Sequence, residues 1–192
     1  MKKLKIILIL LLLCITTLCY AGGDQIRLKE GDIVWIISKS KQSPLIQYAT
    51  GSAWSHCGIV IEKNDELYVL EASNVVKLTP LYDFYDKGRF GISQSCRVIK
   101  QPVKIKYSKY LGQRYDLAFK FNNNRMYCSE LVYLIYKEQF GIELCKPRPI
   151  KSYNTFGLKK VIKKRGMNMN QLVVAPSDLL QYKHYYDTID YE

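Results

Sequence analysis

The chain has little histidine and neither a Cys-x-x-Cys nor a His-x-x-x-His pair of potential metal ligands. Its 192 residues include only His56 and His184, and no two cysteines form a Cys-x-x-Cys pair. Zinc sites in proteins usually draw their ligands from such pairs, so the sequence predicts neither a structural nor a catalytic metal site. His184 lies in a tyrosine-rich tail without a matching set of polar residues, which leaves His56 as the candidate for chemistry.

The chain also lacks the dense cysteine pattern of a disulfide scaffold. Four cysteines follow the N-terminal segment at wide, irregular spacings: Cys57, Cys96, Cys128 and Cys145. Small secreted proteins that depend on disulfides carry a tighter framework. If one of the four is a nucleophile, at most one disulfide can form among the other three, and the sequence leaves that pairing open.

No apolar run is long enough to cross a bilayer. The longest, residues 6–15, is about half of the roughly 20 residues that a spanning helix needs. Lysines precede this run and small residues follow it, so we expect residues 1–21 to be a signal peptide that is cleaved after Ala21. The protein would then be periplasmic or secreted. An uncleaved anchor is less consistent with this pattern, and so is lipidation at Cys19, because Thr17 and Leu18 precede it instead of small residues.

Acidic residues are scarce. Lys and Arg number 29 against 17 Asp and Glu, and removal of three signal-peptide lysines would change the net charge from +12 to +9. No motif that reads a nucleic-acid groove accompanies this charge, so we expect anionic lipid or cell-wall polymer as surroundings instead. The densest cluster is either a binding patch or an ordinary solvated face. It consists of Lys159, Lys160, Lys163, Lys164 and Arg165.

The order of elements predicts one α+β domain over residues 22–192. β-rich runs occur at 31–38, on both sides of a polar turn at 63–66, at 75–78 and at 89–100. Short helices are expected after Ser43-Pro44 and after Thr79-Pro80, and another over Pro102–Leu111. Strands therefore dominate the first two thirds, and the principal helix follows Cys128, as in an antiparallel sheet packed on helices.

The hairpin brings a histidine and a carboxylate onto one sheet face. A loop over residues 63–66 places Gly58 opposite Glu71, so His56 and Glu71 become diagonal neighbours within side-chain reach. A carboxylate that binds one ring nitrogen fixes the tautomer and leaves the other nitrogen free to act as a base. Cys57 points to the opposite face, and we interpret it as a core residue.

Cys128 lies where a polar loop meets an apolar helical stripe. Cys128, Leu131, Val132 and Ile135 have the spacing of one helix face, and Gly141 marks the expected helix end. Unpaired N–H groups and the helix dipole favour a thiolate at a helix start. The alternative is a buried core cysteine, since free cysteines are often buried.

Several motifs resemble a known family. They are "GDIVW", "ATGSAWSHCGIVIE", "YVLEAS", "GQRYDLAF" and "YCSELVYLIYKEQFGIEL", in that order. They look like the bacterial YiiX-like branch of the permuted papain-fold, NlpC-related cysteine hydrolases, in which the histidine hairpin precedes the cysteine helix. The resemblance implies a circularly permuted papain-like fold, with an antiparallel sheet or partial barrel packed against helices. The sequence departs from the family pattern at Cys57, where relatives often carry an apolar residue.

The resemblance also implies roles for individual residues. Cys128 would be the nucleophile, His56 the general base and Glu71 the group that orients His56. Tyr115 would line the substrate site or the oxyanion side, with ordinary aromatic packing as the alternative. Such a hydrolase needs no metal or organic cofactor.

The substrate class is left with three alternatives. Export and the resemblance favour an amide in cell-wall peptide (peptidoglycan) or a related small peptide. Acyl hydrolysis or transfer on a lipid is the second reading, and a non-catalytic module that binds wall or an anionic lipid surface is the third. The sequence does not predict the oligomeric state.

Overall fold

The computed structural model describes residues 27–181 and the backbone of residues 188–191. The predicted signal peptide, Cys19 and His184 lie outside the described residues. Within this part of the chain, no helix is both long enough and apolar enough to span a membrane.

One antiparallel sheet organises the fold. Its six strands are β1 Ile33–Ser38, β2 His56–Lys63, β3 Glu66–Ala72, β4 Val76–Pro80, β5 Gly88–Cys96 and β10 Thr188–Tyr191. They lie in the order β10-β5-β1-β2-β3-β4. The predicted α+β class is confirmed, because helices pack on both faces of this sheet.

Four helices and two small sheets complete the described part of the chain. The helices are α1 Ser43–Thr50, α2 Leu81–Asp86, α3 Cys128–Phe140 and α4 Lys159–Lys164, with 3-10 turns at Ile150–Ser152 and Asp178–Gln181. A parallel pair joins β6 Arg114–Tyr115 to β7 Arg125–Met126, and an antiparallel pair joins β8 Arg148–Pro149 to β9 Leu172–Val173.

Alternating side chains of the strands fill two cores. On one face, Trp35, Ile59 and other apolar residues pack with the apolar stripe of α3. On the other face, Val34 and Val60 pack around Phe84 of α2. Because both faces of the central strands are covered, β1 is buried along its whole length.

The β2–β3 hairpin has the predicted register. Val60 pairs with Val69, and the ladder closes at Lys63–Glu66 around a two-residue turn. Both turn residues, Asn64 and Asp65, have positive φ angles of 53° and 60°, as tight hairpin turns require. This register fixes which side chains share a face with His56.

The prediction of a helix over Pro102–Leu111 is wrong. This segment forms loops and turns. The N–H of Ile105 donates to Glu30 Oε1 at 2.8 Å, and the N–H of Lys106 donates to Gln139 Oε1 at 2.9 Å. Tertiary side-chain acceptors therefore hold amides that a helix would have paired internally.

The other three helix predictions are confirmed by helices α1, α2 and α3. Helix α1 ends at Gly51 and α3 ends at Gly141, and these glycines have left-handed φ angles of 67° and 69°. Glycine reaches this conformation without the steric cost that other residues incur, so it ends a helix readily.

Candidate active site

His56 and Glu71 are in direct contact. The Nε2 atom of His56 lies 2.6 Å from Oε2 of Glu71. Glu71 is fully buried and His56 is 9% exposed, so bulk water competes little for this hydrogen bond. Phe84 packs beside the imidazole with the ring centroids 5.6 Å apart. The predicted proximity of these two side chains is therefore found, because it follows directly from the hairpin register.

The second carboxylate oxygen of Glu71 has its own partners. Thr79 Oγ1 donates to Oε1 at 2.6 Å, and the Lys87 ammonium also donates to this oxygen. Burial alone would raise the pKa of Glu71, but the hydrogen bonds from His56, Lys87 and Thr79 lower it to about 2. The carboxylate is thus held ionised at neutral pH.

Sequence reasoning missed Thr79 and Lys87. Thr79 pairs with Val69, two positions from Glu71, so extending the hairpin register into β4 would have placed it on the correct face. Lys87 gave no such signal, because its position depends on how the chain leaves α2.

Cys128 begins helix α3 and lies beside the first residues of β2. Its thiol lies close enough to His56 and to Cys57 for both to act on its charge. Since Nε2 of His56 faces Glu71, Nδ1 is the ring nitrogen left for the thiol. Cys128 is 2% exposed, but it lines a cavity, so it is not sealed among aliphatic neighbours.

The contacts between Cys128 and His56 favour a charge-separated pair. Burial lowers the pKa of His56, but the charge and hydrogen bond of Cys128, together with those of Glu71, raise it to about 9. The pKa of Cys128 is held well below its usual value, first by the hydrogen bond from Cys57 and then, against burial, by His56. A thiolate beside an imidazolium is therefore the favoured form near neutral pH.

Cys57 lies in the core, as predicted, on the sheet face that packs against α3. Sequence reasoning missed the contact of Cys57 with Cys128. Burial raises the pKa of Cys57 well above its usual value, and the Cys128 charge raises it further. Cys57 therefore stays a neutral thiol that can donate to the Cys128 thiolate.

Glu130, in the first turn of α3, is also buried near Cys128. Its Oε2 accepts the backbone N–H of Tyr127 at 3.3 Å. Burial raises the pKa of Glu130 to about 8, with a further contribution from the charge of Asp116. A mostly protonated Glu130 at neutral pH places little negative charge beside the thiolate.

Two cavities of different character meet at this site. The first has a volume of about 120 Å³, contains Cys128 in its wall and is lined mainly by apolar residues. Examples are Leu45, Ala49, Val161, Ile162 and Val174. The second has a volume of about 450 Å³ and a polar wall that includes Ser55, His56, Glu71, Asn74 and Lys87.

Tyr115 contributes to the walls of both cavities. Its backbone N–H donates to the carbonyl of Asn74 at 2.9 Å, which fixes β6 beside the end of β3. Burial raises the pKa of Tyr115 well above its usual value, as does the charge of Cys128, so its hydroxyl stays protonated. The structure thus brings all four predicted site residues together: Cys128 lines the first cavity, His56 and Glu71 line the second, and Tyr115 lines both.

Neither a metal-ligand group nor a disulfide is found in the described part of the chain. No group of three or more His, Cys, Asp and Glu residues could hold a metal ion there. The four cysteines of this part are free thiols.

The chain is similar to proteins of one family along most of its length. A family model described as "Permuted papain-like amidase enzyme, YaeF/YiiX, C92 family" matches residues 27–186. Uncharacterized protein YiiX of Escherichia coli strain K12 is 32% identical over 181 residues, which is 88% of each chain. The crystal structure of metalloprotein YiiX from Escherichia coli O157:H7 superimposes with a TM-score of 0.76 at 30% identity, covering 85% of this chain and 97% of that chain.

Proposed function

The chain belongs to the YaeF/YiiX family of permuted papain-like amidases, and from this premise we propose that it is an exported thiol hydrolase that cleaves an amide bond. Cys128 is the nucleophile, His56 the general base and acid, and Glu71 the residue that orients His56. The observation that carries this proposal is a chain of contacts: the Cys128 thiol lies beside the imidazole, and the imidazole is hydrogen-bonded to the Glu71 carboxylate. Such a chain supplies a nucleophile, a base and an orienting group.

The proposed reaction proceeds through an acyl-enzyme. The Cys128 thiolate attacks the amide carbonyl, and the resulting oxyanion lies near the backbone N–H of Cys128 at the start of α3, with the Tyr115 hydroxyl as a further donor. The His56 imidazolium gives its proton to the leaving nitrogen, and the C–N bond breaks. Neutral His56 then takes a proton from water, which attacks the thioester and releases the acid and the Cys128 thiolate.

The two cavities support an assignment of the two sides of the substrate. The apolar cavity adjoins Cys128, so it suits an apolar group on the acyl side. A cavity of about 150 Å³ holds a benzene-sized molecule, so the roughly 120 Å³ here suits a group of about that size or smaller. The polar cleft adjoins His56 and suits the departing amine. A peptide amide with an apolar residue before the scissile bond meets both requirements.

Acyl hydrolysis or transfer on a lipid is the second candidate, and the apolar cavity is the observation that favours it. The first few carbons of a fatty acyl group would fill the same space beside Cys128 that an apolar peptide side chain would fill. A non-catalytic binding module explains the site less well, because it needs neither a buried ionised carboxylate nor an activated thiol.

The E. coli structure is that of a metalloprotein. In the described residues of this chain, the donor groups needed to hold a metal do not come together. The proposed steps therefore use the side chains alone.

The test compares three proteins on three substrate classes. Wild type, Cys128→Ala and Cys145→Ala are incubated with muropeptides, with N-acyl amino acids of two to twelve acyl carbons, and with phospholipids, and products are identified by mass spectrometry. Cys145 is a matched control, since burial raises its pKa to about 12 and it does not line either cavity.

We expect amide products from wild type and Cys145→Ala but not from Cys128→Ala. Products from lipid alone would replace the amide assignment with the acyl one. Two outcomes would refute the hydrolase proposal. The first is that Cys128→Ala forms the same products in the same amounts as wild type. The second is that wild type forms no product from any of these substrates and no acyl-thioester at Cys128 with an activated p-nitrophenyl ester.

Export is a separate part of the proposal and rests on residues 1–21. N-terminal sequencing of protein recovered from the periplasm or medium should begin at Gly22. Recovery of the chain only from the cytoplasm, with Met1 retained, would contradict it.

A further inference from the structure

One long connection of the chain carries positive charge without any acidic residue. Residues 150–171 link β8 to β9, and we refer to this connection as the basic flap. It contains six basic residues and no Asp or Glu. The six are Lys151, Lys159, Lys160, Lys163, Lys164 and Arg165.

Helix α4 divides the basic flap into an inner and an outer face. Leu158, Val161, Ile162 and Arg165 line the apolar cavity, at the spacing of one helix face. Arg165 is held there, because it donates to Gln42 Oε1 at 3.2 Å. The flap is therefore one wall of the cavity that contains Cys128.

The outer face presents unpaired charge to solvent. The four lysines of α4 are exposed, and none forms an ion pair with the residues that the structure describes. They are Lys159, Lys160, Lys163 and Lys164.

Exposed apolar side chains accompany these lysines. Phe156, three residues before α4, is 84% exposed, and Met169, after it, is 36% exposed. Leu172, the first residue of β9, is another exposed apolar side chain, at 51%. Lysines beside exposed aromatic and aliphatic groups are typical of segments that lie in the interface of an anionic bilayer.

We propose that the basic flap docks on an anionic lipid bilayer, with the α4 lysines on the headgroups and Phe156 inserted among the acyl chains. Charge complementarity commits this surface to an anionic partner. A soluble polyanion would use the lysines but would leave the exposed Phe156 ring without a role, so the observations favour lipid. Docking in this way would place the wall of the cavity against the membrane.

The test measures binding to vesicles of phosphatidylcholine alone and with 30% phosphatidylglycerol, by co-sedimentation at low and high salt. All variants are purified after processing in an exporting host, carry the same verified N-terminus and include Cys128→Ala, so turnover plays no part. The flap variant replaces the four α4 lysines with Gln. Its control replaces four exposed lysines elsewhere, giving the same net charge: Lys63, Lys77, Lys100 and Lys106.

We expect binding that requires phosphatidylglycerol. Because each lysine near such a surface contributes about a fivefold factor, the flap variant should bind about 100-fold more weakly or worse, while the control variant changes little. Phe156→Ser should remove the binding that persists at high salt.

No binding to anionic vesicles, or equal losses in the two quadruple variants, would overturn the proposal. The proposal would also be overturned if heparin displaced the protein fully from the vesicles and Phe156→Ser left vesicle binding unchanged. That pair of results would indicate a polyanion site. Because binding is measured without a nucleophile, failure here leaves the hydrolase proposal standing, and the reverse also holds.

Discussion

Replacement of Glu71 by Gln tests the electrostatic basis of the site most directly. Gln keeps the size of the side chain and an oxygen that can accept from His56, but it removes the negative charge. The Lys87 ammonium would then face the His56 ring without an intervening carboxylate. Both changes disfavour the imidazolium, so the pKa of His56 should fall.

The magnitude follows from the pKa of His56. Its value of about 9 lies well above the ordinary 6.5, which corresponds to about 3 kcal/mol in favour of the imidazolium. Burial opposes this, Cys128 contributes most to it, and Glu71 contributes the next largest part. We therefore expect Glu71→Gln to lower the midpoint by about one to two pH units, or about 1 to 3 kcal/mol.

Nuclear magnetic resonance of protein labelled at the histidine ring carbons measures this midpoint. The chain has two histidines, so His184→Gln identifies the His56 signal. The signal is followed from pH 5 to 10.5 in wild type, in Glu71→Gln and in Glu66→Gln. Glu66 is an exposed carboxylate of the same hairpin, and it serves as the matched control.

Two results would refute the reasoning. A wild-type His56 midpoint near 6.5 would show that the imidazolium is not stabilised. Equal midpoints in the Glu71 and Glu66 variants would show that the buried carboxylate does not supply the stabilisation. If the reasoning holds, the alkaline limb of kcat/KM should move toward neutral pH in Glu71→Gln, because the leaving amine needs the proton on His56.

Three further changes probe the neighbours of this pair. Cys57→Ala should raise the pKa of Cys128 by removing its hydrogen-bond donor, so iodoacetamide should label Cys128 more slowly at pH 6, whereas Cys57→Ser should retain more of the rate. Lys87→Met should raise the pKa of Glu71. The stability that ionised Glu71 provides is lost as pH falls toward its pKa of about 2, so a higher pKa means that this loss begins at a higher pH. Acid unfolding of the variant, followed by circular dichroism, should therefore occur at higher pH than in wild type. Glu130→Gln should become progressively more stable than wild type as pH rises from 4.5 through about 8, because the folded state favours the protonated acid. Denaturant unfolding at pH 8 should show a free energy of unfolding that is higher in the variant by an amount on the order of 3 kcal/mol.

Each of these has a contradicting outcome. Identical labelling rates in Cys57→Ala and Cys57→Ser would remove the role of a thiol donor. An unchanged acid midpoint in Lys87→Met would show that the lysine does not depress the pKa of Glu71. A stability difference in Glu130→Gln that does not vary with pH would mean that ionisation of this residue is not linked to folding.

The β2–β3 hairpin shows what can be predicted from residues that lie close together in the chain. Side chains of a strand alternate between faces, so one turn position sets the register of all the pairs that follow. The contact of His56 with Glu71 could therefore be predicted from the sequence. The same reasoning placed Cys57 on the opposite face, where the structure also has it.

Local pattern failed where distant residues act on the backbone. The stretch before Gly112 has helical composition, but its backbone N–H groups donate hydrogen bonds to Glu30 and Gln139, which lie in other parts of the chain. Lys87 was missed for a related reason, since no spacing rule connects the end of α2 with the far side of Glu71. Long-range partners are not encoded in any short window of sequence.

The sequence by itself determined the α+β class, the hairpin register and the start of the helix at Cys128, because each depends on residues close together in the chain. The tertiary structure alone decided that the start of α3 meets both His56 and Cys57, and that an apolar cavity and a polar cleft open on either side of this meeting point. The physical reason is that hydrogen bonding and burial, which set the charges of these groups, depend on how distant segments pack together.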